Sequence, residues 1–598
     1  MTPLDLGIVI LYLIVLVAIG VYFQRSASEG IDSYFLGNRR LPWWVLGASG
    51  MASNLDVSGT MINIALIYAL GAAGFFVELR GGIVLIMAFL MIFMGKWNQR
   101  ARVMTQAEWM ELRFGKEREG RLARLTVAVA NLVFGIWIVT YFAVGAGKFI
   151  GEFIGFPPWL GMPPEFWAAA TMIALSMIYT VASGIYGVVW TDVFQGVFIF
   201  IAIISVVIIA MTQFDPPDAF MVSVPMRDGT FTNMPTTWEA WSSFMPDWEL
   251  GLPEGSSFSS FNLLGITIIF YLLKVFIEGS AGVGGYMIQR FYAARSERDA
   301  GLLSAFWIFL LSFRWPFVAA IAIMGIGLGV QTGQVIDDPE KVLPVVIYQL
   351  LPVGLKGLLV AGLMAAAMST FDSVVNASAS YWVKDIYQAF IRPAADDRRL
   401  MIQSRVSSVI IVLLGLLFTL HISTINEIWG WLTMSIGAGL LVPLLVRWYW
   451  WRFNGYGFAA GILAGMLGAI LQRLLWPDIP EYTAFSFVSA LSLIGTFGGT
   501  MLFKATPQDT LINFYKITRP FGFWGPVAAV IPDSERRQIQ TETRRDRLSI
   551  LAAVCWQLVL FMTMMGIVLK RWDYVVILGA VFAGLSLFLY VNWFRHLE

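Results

Sequence analysis

The sequence predicts an all-α polytopic membrane protein with about fifteen transmembrane helices. Three observations carry this prediction. Hydrophobic residues make up 58% of the 598 residues and charged residues only 13%, whereas a soluble domain carries about 25% charged residues. About fifteen apolar windows come close to or exceed the roughly 20 residues that a bilayer-spanning helix needs. Two of these windows are interrupted by Gly and Ser in matching places, five windows apart.

The predicted spans follow one another along the whole chain. They cover residues 5–23, 43–72, 75–96, 125–150, 166–187, 189–212, 261–290, 302–330, 342–383, 406–423, 426–447, 456–475, 484–503, 549–569 and 575–595. The first window has no basic segment before it, so we expect a permanent helix and not a cleaved signal peptide.

Basic residues alternate between the predicted loops. Lys and Arg number seven in 97–124, none in 151–165, one in 214–260 and eight in 504–548. Because cytoplasmic loops are enriched in Lys and Arg, the N-terminus is predicted outside and the C-terminus in the cytoplasm, in the plasma (inner) membrane. The segment 570–573 is basic but is predicted outside, which breaks the pattern.

Two spans contain a Gly/Ser-rich interruption, GASGMASNLDVSGT (47–60) and EGSAGVGG (278–285). Inside lipid a helix break is tolerated only where it is buried or lines a cavity. Each break opens a block of five helices, and an odd number of spans gives the two blocks opposite orientation. This arrangement indicates the inverted repeats of secondary transporters, with sites at the broken helices. Close helix packing through small residues is the alternative interpretation.

Several charged residues lie inside the predicted spans, where each costs about 2.5–3.5 kcal/mol. Asp56 lies in the first break. Lys274 and Glu278 are four residues apart on one helix face, so they form either a neutral structural pair or part of a solute site. Arg314 has no acidic neighbour in its own helix, which favours a functional role.

In the ninth span, five residues cluster within two helical turns, namely Ala366 and the polar Ser369, Thr370, Asp372 and Ser373 in the run AAAMSTFDS. The three hydroxyls share one helix face. Sodium is a hard cation that prefers oxygen ligands, and hydroxyls beside a helix break supply them. The alternative is that each hydroxyl bonds back to its own helix.

At these residues the chain resembles the sodium:solute symporter family. The resemblance is carried by motifs in 35–60, 184–196, 286–300, 358–373 and 385–390, together with RWYWWRFN (447–454). It implies a leucine-transporter-type fold with two inverted five-helix repeats, one helix before them and four after. The implied segments are 1–42 with the first helix, 43–213 and 261–448 as the two repeats, 214–260 as an extracellular loop, and 449–598 as additional helices with a cytoplasmic loop at 504–548.

The resemblance also implies Na⁺ as the coupling ion. The ligands of the first ion would be the backbone carbonyls of Asn54, Val57 and Ala366 and the hydroxyls of Ser369 and Thr370. A second ion would lie at Asp192, Asp372 and Ser373, together with Ser369. Asp372 stands where a serine is usual in the family, so the resemblance does not decide whether the chain binds one Na⁺ or two.

The solute is less defined. The residues expected for sugar-type members are missing, because Met61, Val84 and Ser280 occupy their positions. A carboxylate or zwitterion would suit the charged residues of the spans, and a sugar remains the alternative. The candidate solute-binding residues are Asp56, Ser58, Lys274, Glu278, Ser280, Arg314 and Trp429.

The resemblance therefore implies a symporter that imports a small polar organic solute with Na⁺ by alternating access. A sodium-responsive sensor or a channel-like protein on the same fold is the alternative. With one Cys and two His, the sequence offers no cluster typical of a membrane enzyme. The expected partners are the solute and the lipid bilayer, with no nucleic acid, and the oligomeric state is open.

Overall fold

The computed structural model describes residues 1–27, 31–153, 157–282, 284–422, 424–477 and 479–597. The chain is mostly helical. Among the described residues, eleven helices are long and apolar enough to cross a membrane. The predicted multi-pass character is confirmed, and the finer count of about fifteen spans stays a prediction.

The first half of the chain is built from ten helices, several of them short. They are α1 (Pro3–Ala27), α2 (Ile31–Leu36), α3 (Trp43–Asn54), α4 (Val57–Leu70), α5 (Ala73–Val77), α6 (Ile86–Phe89), α7 (Gly95–Arg100), α8 (Gln106–Phe114), α9 (Arg118–Phe153) and α10 (Pro164–Gln213). The predicted span 75–96 is irregular, since a 3₁₀ turn at Glu78–Arg80 and a π-helical turn at Leu90–Met94 interrupt it.

The element α10 covers two predicted spans, 166–187 and 189–212. Ser176, in the first window, donates to Asp372 of a later helix. Asp192, in the second window, lies beside the Arg290 nitrogen that also contacts Ser373. In the structure α10 is one continuous helix of 50 residues. The division of this element into two spans stays a prediction.

A small β-hairpin follows α10. Strands β1 (Ala219–Pro225) and β2 (Phe231–Thr237) pair antiparallel, with Ala219 opposite Thr237. A one-turn helix, α11 (Trp238–Trp241), closes the unit. The basic segment 570–573 lies against this region, because Lys570 contacts Asp215 at 2.8 Å. The apparent exception in the charge pattern thus has an acidic partner on the same side of the protein.

The second half of the core repeats the theme of a broken helix followed by long ones. It contains α12 (Leu264–Ala281), α13 (Gly285–Ala293), α14 (Glu297–Leu311), α15 (Arg314–Thr332), α16 (Val342–Leu350), α17 (Leu355–Ser380), α18 (Asp397–Phe418), α19 (Ile425–Trp431) and α20 (Gly437–Tyr449). Both predicted breaks are present, between α3 and α4 and between α12 and α13. Residue 283 of the second break lies outside the described residues.

Six helices form the C-terminal part. They are α21 (Gly455–Leu475), α22 (Glu481–Leu502), α23 (Gln508–Thr518), α24 (Gly525–Ala528), α25 (Asp533–Val568) and α26 (Trp572–Asn592). The buried fraction of each helix distinguishes central from peripheral helices. In α17, 94% of the apolar window is buried, whereas in α26 only 6% is buried. The helix with the predicted hydroxyl cluster is therefore at the centre of the molecule, where every side of it meets protein.

Candidate functional site

The first helix break sits between α3 and α4. Asp56 stands there as the N-cap of α4, and its Oδ2 accepts hydrogen bonds from the backbone N–H of Gly59 at 2.6 Å and from the hydroxyl of Tyr141 at 3.2 Å. An aspartate at this position satisfies an unpaired amide and suits the positive end of the helix. Within the described part of the chain, Oδ1 of Asp56 makes no hydrogen bond. The buried Val57 begins α4.

Arg314 begins α15 and points at the same break. Its Nη1 donates to the carbonyl of Asn54 at 3.2 Å. The Asn63 amide is oriented so that both of its ends have partners. Its oxygen accepts hydrogen bonds from Arg314 Nε at 3.1 Å and Arg314 Nη2 at 3.2 Å, and its nitrogen donates to Glu78 at 3.2 Å. A guanidinium has five N–H groups. Two of them, one on each Nη, have no partner among the described residues.

These side chains face a central cavity of about 290 Å³. Its wall includes the predicted site residues Asn54, Asp56, Lys274, Glu278, Arg314 and Trp429. Ser58 and Ser280 do not belong to the described wall. Ser58 is buried behind it, and the backbone carbonyl of Ser280 accepts a hydrogen bond from Tyr449 at 2.8 Å.

Two aromatic rings form an apolar part of the wall. The rings of Tyr141 and Trp429 lie 5.2 Å apart with an interplanar angle of 31°. A β-carbon on Gly81 would stand 2.8 Å from the Trp429 ring. A glycine is therefore needed here for the indole to reach the cavity.

Lys274 and Glu278 satisfy one another. The Lys274 Nζ lies 2.8 Å from Glu278 Oε1 and also donates to the backbone carbonyl of Arg80 at 2.7 Å. Lys274 is buried, whereas the Glu278 side chain is 24% exposed. Both charges are therefore compensated within the protein, which favours the structural interpretation of this pair.

A buried network around Arg80 closes one end of the cavity. Its guanidinium lies 2.7 Å from Glu481 and 3.1 Å from Glu78, and it donates to Asn426 at 2.5 Å. Tyr271 donates to the other oxygen of Glu481 at 2.7 Å. Beyond this network is a second cavity of about 570 Å³, whose wall includes Asn426 and Glu481. The Arg80 network thus separates the two cavities.

The residues predicted for the first ion converge on the break. Thr370 donates to its own helix at Ala366 (3.0 Å) and lies 2.9 Å from the carbonyl of Ser53, while Ser369 Oγ is 3.5 Å from Ser53 Oγ. The carbonyl of Asn54, predicted as a ligand, accepts from Arg314 instead. Hydroxyl and carbonyl oxygens are nevertheless gathered in one buried place, and this donor set fits a hard cation.

The residues predicted for a second ion are also brought together, and these are the buried Asp192, Asp372 and Ser373. Asp192 accepts from Ser49, and Asp372 from Ser176, each at 2.5 Å. A positively charged side chain that the sequence analysis did not include, Arg290 of α13, lies among them.

Sequence reasoning missed several residues of this site. Glu78 and Arg80 did carry a signal, since both fall inside the predicted span 75–96. Arg290 lay inside a motif that was used for the resemblance. Asn63 and Tyr141 had no signal, because a single polar residue in a long apolar helix does not show which helix it faces.

Comparisons with known proteins agree with this architecture. A family model described as the sodium:solute symporter family matches residues 34–465. Sodium/glucose cotransporter 4 of Danio rerio is 25% identical over 510 residues, covering 79% of this chain and 72% of that protein. A sodium/glucose cotransporter of Vibrio parahaemolyticus is 24% identical over 508 residues, covering 80% of this chain and 86% of that protein.

A solved structure shares the fold. The substrate-bound outward-open state of a Na⁺-coupled sialic acid symporter matches 85% of this chain and 99% of that chain, with a TM-score of 0.63 and 20% sequence identity.

Proposed function

Because the chain belongs to the sodium:solute symporter family, it is a sodium-coupled symporter of a small solute, and we propose that it imports a solute carrying both a carboxylate and an ammonium group. One observation carries the proposal. A β-carbon on Gly59 would stand 2.8 Å from Arg314 Nη2 and 2.9 Å from Asp56 Oδ1. A cationic nitrogen with one N–H group and an anionic oxygen, both without a partner among the described residues for that group, therefore face the same small space.

The chemistry of these two groups fits a zwitterion. The two N–H groups that Arg314 keeps available suit a carboxylate, which prefers paired, charge-assisted hydrogen bonds from arginine. The available Oδ1 of Asp56 is an acceptor for an ammonium group. Since Lys274 and Glu278 compensate one another, Asp56 and Arg314 remain as the pair that a solute would complete.

A sugar or polyol is the second candidate. The faces of Tyr141 and Trp429 offer an apolar wall against which a sugar ring can lie. The two curated relatives named above are sodium/glucose cotransporters. A neutral sugar would use Asp56 as an acceptor but would leave Arg314 without an anion, and for this reason we rank it second.

We assign the coupling Na⁺ to the oxygens where α17 meets the first break. Ser369 and Thr370 would supply hydroxyl ligands, and Asn54, Val57 and Ala366 carbonyl ligands. For Na⁺ to bind, the Thr370 hydroxyl must turn from donating to Ala366 towards accepting the ion. Because the first break also holds Asp56, a bound ion would fix the same backbone that positions the solute.

We infer that the protein works by alternating access, with two inverted repeats at 43–213 and 261–448 and the N-terminus outside. The cavity of this conformation extends to Gln106 and Gly284 on the side of the basic loop 97–124. On the opposite side, where the 214–260 segment lies, the Arg80 network separates the central cavity from the second cavity. This geometry supports an inward-oriented state with the outer path closed.

The test is uptake into proteoliposomes of labelled zwitterions, monocarboxylates and sugars, with and without an inward Na⁺ gradient. We expect saturable, Na⁺-dependent accumulation of a zwitterion. Arg314→Gln should weaken uptake of that solute by about 10- to 150-fold, since a charge-assisted hydrogen bond is worth about 1.5–3 kcal/mol. Arg298→Gln, an exposed arginine of α14, is the matched control. Accumulation of sugars alone, equal in the wild type and in Arg314→Gln, would refute the zwitterion assignment.

The same experiment separates the alternatives to symport. Flux that rises linearly with solute concentration would indicate a channel. Absence of all accumulation, with Na⁺ still protecting the protein against thermal unfolding, would favour a sodium-responsive sensor.

A further inference from the structure

Arg290 lies at the position where a second Na⁺ would bind. Its Nη2 lies 2.8 Å from the hydroxyl oxygen of Ser53, 2.9 Å from that of Ser49, 3.0 Å from that of Ser373 and 3.6 Å from Oδ2 of Asp192. One guanidinium nitrogen is thus surrounded by four oxygens from three helices, α3, α10 and α17. The side chain of Arg290 is 3% exposed.

We propose that the guanidinium of Arg290 is a permanent, tethered cation that replaces the second Na⁺, so that this symporter binds and couples a single Na⁺. The inference rests on the first sodium site of the proposed function. A Na⁺ held by Ser373 and Asp192 would stand where Nη2 stands, so the ion and the arginine exclude one another. The residues present therefore do not fit a second ion as long as Arg290 occupies its place.

The charges of the region agree with one ion. Two carboxylates, Asp192 and Asp372, are each 1% exposed. Buried charges persist when they are compensated nearby. Arg290 compensates one of them, and one Na⁺ beside Ser369 and Thr370, on the turn that precedes Asp372, compensates the other. Counted over these described side chains, a second Na⁺ would add a positive charge that no carboxylate of the group balances.

The second carboxylate of this region is Asp372. Its Oδ1 accepts a hydrogen bond from Ser176 at 2.5 Å. Asp372 follows Ser369 and Thr370 on the same helix, so its negative charge favours one Na⁺ at these hydroxyls.

Coupling to one ion limits accumulation. At a potential of 100 mV and a tenfold Na⁺ gradient, one Na⁺ supports about 500-fold accumulation of a solute without net charge, whereas two would support about 10⁵-fold.

The experiment counts bound Na⁺ directly and needs no solute. Equilibrium binding of ²²Na⁺ to the purified full-length protein in nanodiscs, against choline chloride, should give one ion per chain with a Hill coefficient of 1. Arg290→Gln should vacate the second position and raise the count to two, and Arg290→Lys should keep it at one. Arg298→Gln should behave as the wild type.

Each outcome is informative. Two ions per wild-type chain, or one ion in a folded Arg290→Gln protein, would overturn the replacement of Na⁺ by Arg290. If Arg290→Gln does not fold, the wild-type count and Arg290→Lys still decide, because two ions in either would overturn the proposal. Asp192→Asn added to Arg290→Gln should return the count to one. A count of zero in the wild type would instead overturn the sodium site of the proposed function.

Discussion

The Arg80 network offers the sharpest test of the proposed inward-oriented conformation. Glu481 belongs to α22, which lies beyond the family-matched residues 34–465, yet it makes the shortest charged contact of Arg80, at 2.7 Å. We expect Glu481→Gln to weaken the outer closure, because the amide keeps the shape of the side chain and removes its charge. Glu78 continues to pair with Arg80, so the network loses one contact and is not abolished.

The size of the effect follows from the burial of this contact. Arg80 is fully buried and the Glu481 side chain is 19% exposed, so the lost charge-assisted hydrogen bond is worth about 1.5–3 kcal/mol. In the outward-open state Arg80 and Glu481 would both be hydrated, and the substitution costs little there. The ratio of outward-open to closed protein should therefore rise by about 10- to 150-fold.

Cysteine accessibility measures this ratio. Cys555 is the only native cysteine, so Cys555→Ser gives a background without thiols. Thr433→Cys then places one thiol in the wall of the central cavity. While the outward-open state is a minor population, the rate of modification by a membrane-impermeant thiol reagent applied outside should increase by the same factor in Glu481→Gln.

The control is Glu254→Gln, which neutralises an exposed acidic residue of the outer segment and should leave the rate unchanged. Modification from the cytoplasmic side checks that the thiol is reactive in every variant. An unchanged external rate in a folded Glu481→Gln protein would refute the assignment of the Arg80 network as the outer closure.

Two further predictions concern the first break. Thr370→Ala should raise the Na⁺ concentration needed for half-maximal protection against thermal unfolding by about tenfold, because a single ligand contact is worth about 1–2 kcal/mol. If this concentration does not change, Thr370 is not a ligand of the ion. Gly59→Ala should lower solute affinity by about 5- to 150-fold, since its β-carbon would crowd Asp56 and Arg314 and overpacking costs about 1–3 kcal/mol. Gly498→Ala, where a β-carbon meets nothing within 4 Å, is the control, and equal affinities for both variants would contradict the solute position.

The breaks show how far sequence reasoning reaches. Gly and Ser in the middle of apolar windows predicted both interruptions, and α3 ends at Asn54 and α13 begins at Gly285 close to the expected places. The physical cause is local, because small and flexible residues and an aspartate N-cap act on their own stretch of backbone. The irregular path of the span at 75–96 was missed, because its charges are stabilised by Glu481 and Asn426, hundreds of residues later in the chain.

The sequence by itself therefore determined the membrane character, the two broken helices and the hydroxyl cluster at Ser369 and Thr370, since hydrophobicity and helix breaking are properties of adjacent residues. Only the tertiary structure decided which charges meet. It brought Lys274 to the backbone carbonyl of Arg80, aimed Arg314 and Asp56 at one space, and placed Arg290 at the position expected for a second ion. Electrostatic partners in a membrane protein are set by how distant helices pack, and no local pattern specifies that packing.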